Sequence, residues 1–335
     1  MSASAPANFQ AEVNSKLEPL LIKHVCEPIL ARIPPGVRPN AISAVNHLIC
    51  WLTALFAYLA PRQGPLGQML CLFAAGAGTF ALAVGDSLDG MQARKTGQCS
   101  KLGEMMDHWL DAIHQPMVTF GVALALQLGP WEAALLHITS TTIYNVQLLL
   151  YHRTGRFVHP ATSGADAQIG TAAGYLAFGV FFFFFDRQLA WVGYVITAMV
   201  AYAVLTQTRL NLFYYRLLGR ASVNHLPYLL LNAALAALHI LGALGPLTFL
   251  LSVVLLSFRV SGSYVLFTIV GRPYGGFDGW VALLLAAALA SCLLPGAPRI
   301  GPLGLSEALT WLTMAFVVGR NLWDFGRHYR RIAPG

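Results

Sequence analysis

Apolar residues fall in long blocks, not in the two-residue alternation of barrel strands, and short stretches holding most of the Arg, Lys and Pro separate the blocks. Blocks such as 41–60, 226–243 and 246–271 are long enough to cross a hydrocarbon core about 30 Å thick. They must be helical, because lipid offers no partner to an unpaired backbone amide. The pattern predicts ten spanning helices, at 41–60, 66–93, 103–128, 132–152, 168–185, 189–217, 226–243, 246–271, 277–294 and 304–326. Ahead of them, residues 15–33 mix apolar positions with Lys16, Glu18, Lys23, Glu27 and Arg32, as expected of an amphipathic helix lying along the membrane surface. A proline-rich break, PPGVRPN, follows, and Asn40 stands where the N-cap of the first spanning helix is expected. The fold class is therefore an all-α polytopic membrane protein. Its expected parts are an N-terminal cytoplasmic or interfacial segment (1–40), a six-helix core (41–218) and a C-terminal four-helix membrane region (219–335).

Composition supports a bilayer setting: 56% of the 335 residues are hydrophobic and only 10% charged, against about a quarter in soluble domains. The first fourteen residues lack the basic start and apolar core of a signal peptide. Five cysteines, Cys26, Cys50, Cys71, Cys99 and Cys292, are spaced singly, which argues against a disulfide framework and a thiolate metal site. The net charge of +7 is read as loop charge facing anionic lipid, not as a nucleic-acid surface. An even number of spans places both termini on one side. Loops on that side hold fifteen basic residues (Lys16, Lys23, Arg32, Arg38, Arg94, Lys95, Lys101, Arg153, Arg156, Arg216, Arg220, Arg272, Arg327, Arg330, Arg331) against Arg62, Arg187 and Arg299 opposite, so both termini are expected in the cytoplasm. A composition poor in Lys and rich in Ala and Leu favours a bacterial cytoplasmic membrane over the endoplasmic reticulum.

Of fourteen acidic residues, five fall in one stretch, GDSLDGMQARKTGQCSKLGEMMDHWLDA (85–112), and four of these are aspartates. Asp86 and Asp89 are three apart and Asp107 and Asp111 four apart, so each pair shares a helix face, and a hairpin would bring the pairs together. Carboxylates gathered in a dehydrated site repel one another, and cations relieve this. Oxygen-only ligation selects hard ions such as Mg²⁺, Mn²⁺ or Ca²⁺, and two such ions can clamp a phosphoryl group. Gly90 and Gly103 allow close approach, and Arg94 and Lys95 are placed to engage a pyrophosphate. Arg259, in the middle of the eighth span, is costly unless paired or facing water, while His114, His137 and His239 read as bundle-interior residues.

Asp86, Asp89, Gly90, Ala93, Arg94, Gly103, Asp107 and Asp111 fit D-x2-D-G-x2-A-R-x8-G-x3-D-x3-D, and on these residues the chain resembles the CDP-alcohol phosphotransferases. The wider string DGMQARKTGQCSKLGEMMDH is similar to the choline and ethanolamine phosphotransferases of that family, above all in His108, directly after the third Asp. The resemblance implies two divalent cations, Mg²⁺ or Mn²⁺, on Asp86, Asp89, Asp107 and Asp111, with Asp111 a ligand or a base. Asn40, Gly90, Ala93, Arg94 and Lys95 are implied at the CDP group, and His108 as general base on a lipid hydroxyl. A fainter similarity over 155–168 puts Asp166 where the subfamily has a Glu that positions the His. CDP-choline or CDP-ethanolamine, a diacylglycerol-like or ceramide-like lipid and a second copy of the chain are the implied partners, and CMP the by-product. Two other readings stand beside this one. In the first, CDP-diacylglycerol donates a phosphatidyl group to a soluble alcohol, with Asp111 as base. In the second the chain is a cation-coupled transporter, although such folds usually show repeated halves.

Overall fold

The computed structural model describes residues 12–13, 15, 17–155, 158–159, 163–185, 189–272, 278–292, 294, 299–300 and 303–332. A lead-in helix is built from α1 (Glu18–Leu21), a π-helical turn (Ile22–Cys26) and α2 (Glu27–Arg32). Ten longer helices follow among the described residues: α3 (Pro39–Leu59), α4 (Pro65–Thr96), α5 (Lys101–Ala125), α6 (Pro130–Thr154), α7 (Gly164–Phe184), α8 (Ala190–Leu218), α9 (Leu226–Ile240), α10 (Pro246–Ile269), α11 (Gly279–Cys292) and α12 (Leu305–Ile332). Each covers one of the apolar blocks.

Five helical stretches are long and apolar enough to cross a bilayer: Pro39–Arg62, Pro65–Thr96, Gly164–Phe184, Ala190–Ile240 and Pro246–Ile269. These make the chain an integral membrane protein. Five is fewer than the ten predicted spans: Ala190–Ile240 takes in two of them, α11 is apolar but only 14 residues long, and polar residues dilute others. α5 carries Glu104, Asp107, His108, Asp111 and His114, and α12 carries Glu307, Arg320 and Asp324, which lower their hydropathy.

Local chemistry explains the boundaries. α3 begins at Pro39, whose ring presets a helical φ, so Arg38 is the N-cap and Asn40 lies inside the first turn, not at the cap where the sequence pattern puts it. α4 ends at Gly97, which takes a left-handed φ of 67° that side-chain-bearing residues avoid. Three residues later Ser100 caps α5, accepting from Gly103 N at 3.0 Å. This four-residue turn folds α4 and α5 into a hairpin and sets the two halves of the acidic stretch side by side.

The interior falls into two large clusters and a small one. α5, α6, α9, α10 and α11 enclose the first, around Met117, Leu148, Leu235, Phe249, Tyr264 and Leu285. α3, α4, α7 and α8 supply most of the second, around Leu72, Tyr175 and Val192. Lipid tails are as apolar as leucine, so close backbone approach matters more here than hydrophobic transfer. At Gly85, for example, a Cβ would overlap the Asn46 side chain of α3. In the small cluster Leu21 and Cys26 of the lead-in pack on Ala83, Val84 and Leu88 of α4 and Ala165 of α7. Burial raises the pKa of the Cys26 thiol, which therefore packs as an uncharged group. Strand β1 (Glu12–Val13) pairs in parallel with β2 (Val158–His159), bringing the N-terminal segment beside the α6–α7 connection.

Candidate functional site

The hairpin brings carboxylate oxygens of Asp86, Asp107 and Asp111 to within 4.8 Å of one another. Among the described residues this is the one group of three or more His, Cys, Asp or Glu side chains so arranged. Asp89 is engaged separately: Ser43 Oγ donates to its Oδ2 and the Gly90 backbone N–H to its Oδ1, both at 2.6 Å. α3 thus supports the hairpin from one side.

Asp111 has a further support that the sequence reading passed over. His114 lies three residues on, so the two share a face, and His114 Nδ1 is 3.3 Å from Asp111 Oδ1. His114 Nε2 lies 3.3 Å from His47 Nδ1, and Trp51 Nε1 meets His47 Nε2 at 3.0 Å. An indole N–H can only donate, so one arrangement satisfies the chain: His47 Nδ1 donates to His114, and His114 Nδ1 donates to Asp111. His114 is buried, as expected of a bundle-interior residue, yet it orients a carboxylate. His137 and His239 do keep to the interior, bonding to Leu250 O and Leu244 O.

His108 is buried on the α5 face turned to α6. Its ring centroid lies 5.8 Å from that of Tyr151, and its carbonyl accepts from Tyr144 Oη at 2.9 Å. Tyr151 Oη donates to Glu104 Oε1 at 2.7 Å, so the acid one turn before His108 is tied to the tyrosine beside the imidazole. The resemblance puts Asp166 in a supporting role here, but the hydrogen bonds of Asp166 run elsewhere. Its Oδ2 accepts from Ser163 N at 3.1 Å in a capping box that starts α7, and its Oδ1 accepts from Ser15 Oγ at 2.7 Å.

The residues expected at the CDP group divide. Arg94 is exposed and folds back over Gly90, where a Cβ would sit 3.4 Å from Arg94 Nη1. Half-buried Ala93 lies on the same last turn of α4. Asn40 lies beside the start of α5, its Oδ1 3.5 Å from where Gly103 would carry a Cβ. Lys95 turns the other way. Its ammonium donates to Leu30 O at 2.8 Å and Ile33 O at 3.1 Å, closing the last turn of the lead-in helix and not reaching toward a pyrophosphate. Gln92 holds the same junction through Pro34 O and Val37 O. These contacts cross about 60 residues of sequence, so no local pattern signals them.

An integral membrane protein with an oxygen-only acidic cluster at a helical hairpin, a histidine within that hairpin and an arginine beside it has the groups with which a divalent cation could be held next to an anionic substrate. The chain belongs to the CDP-alcohol phosphatidyltransferase family, whose model matches residues 37–207. It is 35% identical over 105 residues to cholinephosphotransferase 1 of Gallus gallus, covering 30% of each chain. It is 32% identical over 108 residues to cholinephosphotransferase 1 of Homo sapiens, covering 31% of this chain and 26% of that one. An uncharacterized CDP-alcohol phosphatidyltransferase class-I family protein of Dictyostelium discoideum is 34% identical over 99 residues, 29% of this chain and 24% of the relative. The similarity thus spans under a third of these relatives' length.

Proposed function

We propose that the chain transfers a phosphoalcohol, phosphocholine or phosphoethanolamine, from a CDP-alcohol to the hydroxyl of a diacylglycerol-like lipid and releases CMP. The observation that carries the reading is the convergence of Asp86, Asp107 and Asp111 within one hairpin that also carries His108. The cholinephosphotransferase relatives support the choice of donor. In this reading the ten long helices cross the membrane with both termini cytoplasmic, the lead-in lies at the interface, and the carboxylates open to the cytoplasmic side.

The donor set fits a hard divalent cation: it offers oxygen ligands only, and no ion pair among the described residues neutralises Asp86 or Asp107. Asp86, Asp107 and Asp111 would hold Mg²⁺ or Mn²⁺, with Asp89 as a fourth carboxylate, and such ions supply positive charge against a pyrophosphate and its leaving group.

The other roles belong to the chain itself. Arg94 pairs with a phosphate oxygen as a charge-assisted donor, and Gly90 and Ala93 keep that face of α4 low enough for the diphosphate to approach. Asn40, at the mouth between α3 and α5, contacts the nucleotide. His108 takes the proton of the lipid hydroxyl on an imidazole nitrogen, which frees the oxygen to attack the phosphorus bearing the small alcohol. Tyr144, Tyr151 and Glu104 fix the height and tilt of that imidazole.

The test is CMP release from CDP-choline and CDP-ethanolamine by the purified chain, with diacylglycerol or ceramide and Mg²⁺, products being read by lipid mass spectrometry. Release that needs both the lipid and the ion is expected. Release only from CDP-diacylglycerol with a soluble alcohol would overturn the donor assignment. Full activity in EDTA or in Asp89→Asn would overturn the metal assignment, and cation-driven uptake without CMP would overturn the enzyme.

A further inference from the structure

His108 is followed on α5 by Trp109, which points to the C-terminal helices. Its indole lies flat on Phe258 of α10, with centroids 4.8 Å apart and planes 7° apart, and Nε1 donates to Phe258 O at 3.3 Å. Phe325 of α12 also packs on the indole, tilted by 42° with centroids 5.7 Å apart. One turn beyond Phe258, Gly262 leaves the space the ring fills. A Cβ there would overlap the indole nitrogen and lie 2.6 Å from both Cδ1 and Cε2. The floor under the ring is itself fastened. Arg259, next to Phe258, pairs with Asp324, next to Phe325, at 2.8 Å, and its Nη1 donates to Asn321 Oδ1 at 3.2 Å.

We propose that Trp109 is a positioning residue, seated on Gly262 between α10 and α12, and that this seat fixes the rotation of the α5 turn bearing Asp107, His108 and Asp111. The C-terminal helices, which lie beyond the family-matched stretch 37–207, then set the aim of the reacting groups. The geometry gives the inference its sign. Glycine inside a helix is ordinarily unfavourable, so alanine at 262 would help α10 if nothing occupied the space. With the indole there, the added carbon must displace the ring and turn α5 against its other anchor, Tyr144 on the His108 carbonyl.

The inference rests on the phosphotransfer reading, and its test separates the two. Wild type, Gly262→Ala, Trp109→Leu and the double variant are compared as full chains in lipid nanodiscs, with folding checked by gel filtration and thermal unfolding. Gly262→Ala is expected to lower kcat by about tenfold or more with KM for the CDP-alcohol within about twofold, since small misplacements of reacting groups are costly. In the Trp109→Leu background, where the shorter side chain vacates the seat, the same substitution should change kcat by less than about twofold. Equal losses in both backgrounds, a loss in KM alone, or an unaffected Gly262→Ala would overturn the proposal. If Gly262→Ala does not fold, Trp109→Leu alone decides: a fall in kcat of about fivefold at constant KM supports the seat, and unchanged kcat overturns it. A second readout needs no turnover. The Mn²⁺ concentration giving half of the ion-induced thermal stabilisation should rise about fivefold in Gly262→Ala and not further in the double variant, because the carboxylates turn with α5. If the wild type releases CMP from no CDP-alcohol, the phosphotransfer reading fails while the Mn²⁺ measurement still judges the seat. An unchanged midpoint would then overturn it.

Discussion

Two groups of charged side chains sit among these helices, and they solve the same electrostatic problem in opposite ways. Around α10 and α12, Arg259 meets Asp324 at 2.8 Å, and Arg320 Nε lies 3.8 Å from both Asp324 and Asp278, so two cations face two anions. At the α4–α5 hairpin, Asp86, Asp107 and Asp111 bring three carboxylates within 4.8 Å, with no Arg or Lys paired to them among the described residues. A balanced set is satisfied by the fold alone and can brace it. An unbalanced set is satisfied only by something brought in, which is what a binding site for a cation and a diphosphate requires. In a low-dielectric setting, charge balance therefore separates brace from site better than burial does.

That contrast can be broken from either side. The largest effect is expected from Asp107→Asn, which should cut CMP release by about a thousandfold or more while the unfolding temperature holds or rises, because it removes a like charge. Parallel assays of turnover and thermal unfolding check both halves. At the brace, Asp324→Asn should cost about 3 kcal/mol of stability by leaving Arg259 short of its anion, and EDTA should not alter that loss. Replacing both partners, as in Arg259→Met with Asp324→Leu, should recover most of it, read as an unfolding temperature near wild type. Beside the site, Tyr151→Phe frees Glu104 and loosens the imidazole, so kcat should fall about tenfold at nearly constant KM in steady-state kinetics. The smallest effect is at Asp166. Alanine there should cost about 1 kcal/mol through the lost carboxylate half of the capping box of α7 and change kcat by less than about twofold, as its carboxylate serves Ser163 and Ser15. A loss of kcat at Asp166 matching that at Tyr151 would reverse the roles assigned to the two residues.

The contacts that no local pattern signals share one form: their partners lie far away in the sequence. Lys95 stands next to Arg94 and was expected to share its ligand, but its partners Leu30 O and Ile33 O belong to a helix more than 60 residues earlier. Arg259 had no visible partner because Asp324 lies 65 residues on. Asp166 was placed by its position in a faint motif, whereas Glu104 sits one turn before His108 and was legible as its neighbour from i,i+4 spacing alone. The same spacing rule flags His114 from Asp111, and here the local signal was present but unread. Asn40 was displaced from the cap by Pro39, a competition that P-N at a helix start makes foreseeable.

By itself the sequence determined the membrane setting, the ten helical blocks, and the four aspartates with the histidine among them; that a hairpin joins the two acidic halves it offered only as a condition. All of these follow from periodicity, turn chemistry and short spacings, which act within a few residues. Only the tertiary structure decided that Asp89 answers to Ser43, that Asp111 is steadied through His114 and His47, and that Trp109 meets Gly262. Such pairings depend on which helix faces touch, and in a bilayer apolar periodicity does not single out a neighbour, since lipid-facing and helix-facing surfaces are both largely apolar. Close approach at small residues and a few buried polar bonds make that choice, and they exist only once the bundle is assembled.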